Sequence, residues 1–136
     1  MSDVRLELLE RSLANGLTRV PLRNPGVETF AVAVSLRAGQ GVETDAQHGI
    51  AYLTGACLEE GTRRRSSVEP AEAVEGLGGS LDAAANGATL QCPVDEAAKA
   101  VRLVREVCLE PAFTPREVRR VQQEVLAEIE AEDADP

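Results

Sequence analysis

The clearest pattern in this chain lies between residues 30 and 37, where Phe30, Val32, Val34 and Leu36 fall on one side and Ala31, Ala33, Ser35 and Arg37 on the other. A period of two belongs to a strand with one well-buried face, here with small residues on the second. Upstream, residues 6–13 mix apolar and charged positions and run into Ala14-Asn15-Gly16. Asn-Gly is a strong signal for a tight hairpin turn, so residues 17–22 are read as the returning strand. Arg23-Asn24-Pro25-Gly26 makes a second turn. Further on, residues 80–85 and 88–92 read as two short strands turning at Asn86-Gly87.

Elsewhere the period changes to that of helices. Ile50, Leu53, Ala56 and Cys57 recur at three-four spacing within residues 49–62, with Gly61 placed as a left-handed C-terminal cap. Residues 68–77 follow Ser66 and Ser67, either of which can cap a helix, and stop at Gly78-Gly79. Pro93 opens a helix to residue 109 with Val94, Ala97, Val101, Val104 and Cys108 as its apolar stripe. After Glu110-Pro111-Ala112-Phe113, Thr114 with Pro115 and Glu117 forms a capping box. The last helix then buries Val118, Val121, Val125, Leu126 and Ile129. This order predicts an α+β fold, an antiparallel sheet with helices packed on one face.

Length sets the scale: 136 residues suffice for one domain, 1–136, with a modest core. Aromatic residues are only 2%, so that core has to be built from Val, Leu and Ala. The 14 Lys and Arg against 23 Asp and Glu give a net charge of -9, which disfavours nucleic acid and anionic membrane as partners. Arg63-Arg64-Arg65 is accordingly read as a solvated linker. No apolar run approaches a membrane span, and Met1-Ser2-Asp3 begins without a basic region and apolar segment, so a cytoplasmic location is expected. Cys57, Cys92 and Cys108 are widely spaced, without a Cys-x-x-Cys pair, and are read as buried free thiols.

The stretch Gly49-Ile50-Ala51-Tyr52-Leu53-Thr54-Gly55-Ala56-Cys57-Leu58-Glu59-Glu60-Gly61-Thr62 resembles the signature helix of the insulinase and mitochondrial-processing-peptidase family. That family is one of zinc peptidases of the inverted zincin type, whose pattern runs Gly-hydrophobic-Ala-His-hydrophobic-hydrophobic-Glu-His and ends in Gly-Thr. Other features are similar too: the opening Leu13-Ala14-Asn15-Gly16-Leu17, Glu43 ahead of the helix, Gly78-Gly79-Ser80-Leu81-Asp82-Ala83, and Val125-Leu126-Ala127-Glu128-Ile129. The resemblance implies that two histidines and a glutamate would serve zinc and its water. Laid on this chain without a gap, those positions hold Tyr52, Ala56 and Gly55 respectively. Glu128 matches the third zinc ligand, a supporting glutamate falls at Val121, and Asp82 replaces an asparagine near the substrate cleft.

Tyrosine is a poor zinc ligand beside imidazole, and alanine and glycine offer none; with Glu128 alone retained, no metal and no catalytic residue are expected. His48 is the only histidine, and pairing it with Cys57 as a nucleophile has nothing to mark a low-pKa thiolate. No phosphate, dinucleotide or calcium motif occurs. The resemblance implies a non-catalytic subunit that binds a catalytic partner, or a second copy of itself, and helps to hold peptide near Gly79, Leu81, Asp82 and Ala83. A structural subunit of a larger complex and a peptidase with an unrecognised site are the alternatives. Family subunits are several hundred residues long, so the chain is read as the N-terminal part of one.

Overall fold

The computed structural model describes residues 9–24 and 26–134, so the readings at residues 6–8, Pro25 and the final two residues lie outside it. Its centre is a three-stranded antiparallel sheet in the order β3-β5-β4, formed by Thr29–Ser35 (β3), Ser80–Ala84 (β4) and Gly87–Pro93 (β5). The central strand pairs Val32 and Leu81 with Leu90 on either side. Alternation then sorts the side chains: Phe30, Val32, Val34, Leu81, Ala88, Leu90 and Cys92 share the inner face. Ala31, Ala33, Asp82 and Gln91 stand exposed on the other.

Among the described residues helices cover the inner face alone, so the α+β architecture expected from the pattern is the one found. After a single 3₁₀ turn comes Ala97–Leu109 (α3), which lies across β5 and β3. It buries Ala100, Leu103, Val104 and Val107 against Leu90, and Leu90 and Val107 are completely inaccessible. Fully burying side chains of this size stabilises by roughly 1.5–3 kcal/mol each. Glu69–Gly76 (α2) adds Val74, and Ile50–Leu58 (α1) adds Leu58. Pro115–Ala134 (α4) returns against α1.

Several local readings are corrected. The stripe expected on α3 is rotated: Val94 and Val101 are exposed, because the helix starts at Ala97 and the equally regular set Ala100, Leu103, Val104 and Val107 faces the sheet. On α1 the buried set is Ala51, Gly55, Cys57 and Leu58 while Ile50 is exposed; small residues face inward because the helix lies close to β4. On α4 Val121 is buried and Val118 and Val125 half-buried, but Leu126 and Ile129 are exposed where the helix passes the end of the core. The first hairpin is only Arg11–Ser12 (β1) with Thr18–Arg19 (β2), a separate two-stranded ribbon. Its turn is as read, with Gly16 at φ 85° and the Asn15 side chain accepting from the Leu17 amide.

The loops show their chemistry plainly. At the start of α4 the Glu117 amide donates to the Thr114 hydroxyl as expected, but the Glu117 carboxylate accepts from that hydroxyl and not from the Thr114 amide. Before α2, the arrangement is reversed from the serine cap expected, with Glu69 accepting from the Ser66 amide and hydroxyl. Those bonds hold the Glu69 carboxyl below its ordinary range. The arginine run is also more engaged than a solvated linker, since Arg64 pairs with Glu110 and Arg65 with Glu106. Beside them the buried Thr62 hydroxyl donates to Glu106 at 2.6 Å.

The β4–β5 turn is shifted by one residue from its sequence reading. Ala85 and Asn86 form it, and Gly87, with φ 139°, already pairs with Ala84 and Ser35. A Cβ on Gly87 would collide with the Val34 carbonyl. Gly87→Ala is therefore expected to cost about 3 kcal/mol, through a strained φ and a backbone displacement together. Gly41→Ala, where a Cβ meets nothing within 4 Å, should stay within about 0.5 kcal/mol. Urea unfolding of the two variants checks the contrast.

Candidate functional site

Helix α1 is held in place by an acceptor from outside it. Gly49, at φ 89°, supplies no side-chain cap, and Glu43 takes over the role. Its carboxylate accepts from the Ala51 amide at 2.6 Å and the Gly49 amide at 3.3 Å. A negative group at this end of a helix meets unpaired N–H donors and the positive end of the dipole. Gly61, expected as the helix cap, has a different task. The helix ends at Leu58, and Gly61, at φ 128°, lies where a Cβ would come within 3.0 Å of the Arg65 carbonyl oxygen.

So placed, α1 forms one wall of a shallow cleft of about 520 Å³. Tyr52, Gly55 and Ala56 line it together with residues 38–41 after β3 and residues 83–86 around the β4–β5 turn. Three of the positions singled out in the sequence are thus brought to one place. Glu128, on α4 packed beside α1, lies next to them, with the Tyr52 hydroxyl 3.5 Å from its carboxylate. Tyr52 is about half exposed, so its ring borders the cleft and does not fill a packed gap. Val121, one helical face along α4, is buried in the α1–α4 contact.

Gly55 marks how near the two walls lie. A Cβ there would meet Ala84 Cα and the Ala85 amide nitrogen at 3.0 Å. The space beside position 55 is taken by main chain, which cannot rotate away as a side chain can. The positions that the family resemblance assigns to metal chemistry offer one phenol and one carboxylate, whereas a zinc site needs three protein ligands converging on a point. Among the described residues no group of three or more His, Cys, Asp or Glu side chains is placed to hold a metal ion.

The four positions read as peptide-binding do not make one patch of side chains. Gly79 lies at the opposite end of β4, in a second depression with Glu28, Ser80 and Gln91. There a Cβ would strike the Gln91 carbonyl, a packing reason for that glycine. Leu81 turns into the core, Asp82 is exposed on the uncovered sheet face, and Ala83 borders the cleft. Their common property is main chain: among the described residues β4 pairs with β5 on one side and with no strand on the other. Ala83 donates its amide outward, to the Glu59 carboxylate at 2.9 Å. Glu59 was not singled out by the sequence, where it is one acid of an adjacent pair.

The nucleophile pairing is not assembled. His48 is exposed and lies 3.6 Å from Asp45, while Cys57 is buried, with burial pushing its thiol up and Glu60 adding to the effect. Cys92 and Cys108 are raised by burial as well, and all three are free thiols. Beside Cys57, Arg120 clamps Glu60 at the end of α1 to Glu124 on α4.

Comparison with known proteins bears on the same residues. Residues 19–136 match the family model described as insulinase (peptidase family M16). The chain is 26% identical over 121 residues to an uncharacterized zinc protease of Rickettsia bellii, covering 86% of this chain and 29% of that protein. It is also 26% identical over 125 residues to the mitochondrial-processing peptidase subunit beta of Blastocladiella emersonii, covering 89% and 27%. Among solved structures, a peptidase M16 inactive domain from Pseudomonas fluorescens superposes with a TM-score of 0.83 at 26% identity, over 96% of this chain and 33% of that one. A protease from Helicobacter pylori shares the fold with a TM-score of 0.80. The chain thus spans a third or less of each of these proteins.

Two expectations follow from the cleft walls. Gly55→Ala gains about 1 kcal/mol of helix propensity but has to push back the β4–β5 turn, and overpacking of this kind costs about 1–3 kcal/mol. The expected net is a loss of up to about 2 kcal/mol in urea unfolding, and a stabilised variant would show that the turn yields. For the thiols, iodoacetamide at pH 8 should label Cys57 and Cys92 only after denaturant is added, as followed by mass spectrometry.

Proposed function

Since this chain belongs to the insulinase family (peptidase family M16), we propose that it is a member without a zinc centre of its own, which holds peptide for a catalytic subunit. The observation that carries the reading is the content of the cleft. Three positions that the family resemblance assigns to metal chemistry border it, yet they bear Tyr52, Gly55 and Ala56, and Glu128, beside the Tyr52 hydroxyl, is the single carboxylate among the assigned ligands. A phenol and one carboxylate leave the metal short of ligands, and the main chain beside Gly55 leaves little room for a longer side chain. The inactive-domain description of the Pseudomonas fluorescens relative supports the same direction.

What remains in working order is the means of holding an extended chain. The free edge of β4 runs along the cleft and offers main-chain donors and acceptors, the requirement for adding a peptide as a further strand. Main-chain bonds give such binding affinity without side-chain specificity, so Ala83 and its neighbours need not carry reactive groups. A partner with an intact His-x-x-Glu-His motif would supply the chemistry. That one relative is named as a subunit, the mitochondrial-processing peptidase subunit beta, supports an assembly with a partner.

Elemental analysis tests this directly. After mild chelation at pH 7 the purified chain should carry well under one zinc, and zinc with peptidase activity should arise only when a catalytic subunit is added. One zinc per isolated chain, resistant to chelation, would sink the proposal.

A further inference from the structure

The edge of β4 is not bare. In an antiparallel pair, successive residues alternate between facing the partner strand and facing away. Ala83 donates to Glu59 and not to β5, so the outward-facing positions of β4 are Ala83 and, two residues back, Leu81. The Ala83 N–H is therefore one of the donors that an added strand would use. A carboxylate already occupies it.

The position of that carboxylate follows from the packing of α1. Gly55 fixes the helix against residues 84 and 85, and Glu59 stands one turn further along, on the same side, as the residue that ends the helix. Its neighbour Glu60 turns the other way, to Arg120 on α4. An ionised acceptor on a main-chain N–H makes a stronger bond than a neutral carbonyl does. Charged side chains on exposed edges are also a recurrent means of keeping foreign strands off.

We infer that Glu59 guards the open edge of β4, holding the Ala83 N–H in the place of an incoming carbonyl, so that an extended chain docks only by displacing it. The inference rests on the reading of β4 as the peptide-holding edge. It adds that this edge is closed at rest by the chain's own side chain.

The test uses Glu59→Ala, Glu59→Gln and Ala83→Pro in the full chain, with fluorescein-labelled β-casein as an extended probe. Proline at position 83 removes the outward donor without removing a bond to β5, which an edge strand tolerates. Glu59→Ala is expected to bind the probe about five-fold more tightly than the parent, the equivalent of one modest hydrogen bond no longer displaced. Glu59→Gln, which keeps a neutral acceptor, should fall between them, and Ala83→Pro should lose binding. Independently of any probe, amide exchange of Ala83 should speed up about five-fold in Glu59→Ala while Asp82 and Ala84 keep the parent rate.

Equal affinity of parent and Glu59→Ala, with Ala83→Pro still deficient, would overturn the guard and leave the peptide edge standing. Undiminished binding by Ala83→Pro would instead overturn the edge on which the guard depends. An Ala83 amide that exchanges at the parent rate in Glu59→Ala would remove the guarding contact itself.

Discussion

The contact on which this molecule depends is the pressing of α3 onto the central strand at Leu90, Val104 and Val107. With aromatics nearly absent, no single large side chain can hold the layers together. The work falls to a close fit of medium-sized aliphatic groups, and β5 lies in the middle of it with a neighbour on each side and a helix above. Once β5 is fixed, β4 is fixed as an edge, α1 is set against that edge, and the cleft takes its shape from the two. The site is thus a consequence of the core at one remove.

The architecture was legible because its signals are local and redundant. The alternation through Phe30, Val32 and Val34 holds residue by residue, and the Thr114, Pro115 and Glu117 capping group marks the start of α4 correctly. What misled on α3 and at the β4–β5 turn was a matter of phase. Two three-four stripes on α3 are about equally apolar, and only the sheet chooses between them. Asn86-Gly87 looks like the centre of a turn, but Gly87 is needed one step later, where β5 passes the Val34 carbonyl. A sequence records that glycine is required and not which neighbour requires it.

The candidate site was legible in a different sense. The family pattern points to Tyr52, Gly55, Ala56 and Glu128; the first three border the cleft from one helix, and the Tyr52 hydroxyl reaches Glu128. Gly79, Leu81, Asp82 and Ala83 were named as one group, yet alternation sends their side chains to different faces, and their shared feature is the main chain. Glu59 left no trace in the sequence because its importance comes from a bond across the fold to an amide, and amides have no spelling. Glu43 differs, since its place ahead of α1 is visible in the sequence and only the amides it accepts from are not.

The long last helix adds a consequence for local stability. From Leu126 to Glu132 its described side chains are all exposed, so this half has little buried surface to hold it and relies on helix propensity and the docked turns before it. Free energies of local opening follow such differences in packing, and this half opens well before the part that carries Val121. Glu128 belongs to the looser half and Tyr52 to the fixed helix opposite. The bond between them therefore ties the helical wall of the cleft to the less packed part of α4, and the setting of the Tyr52 ring follows that segment as well as the core.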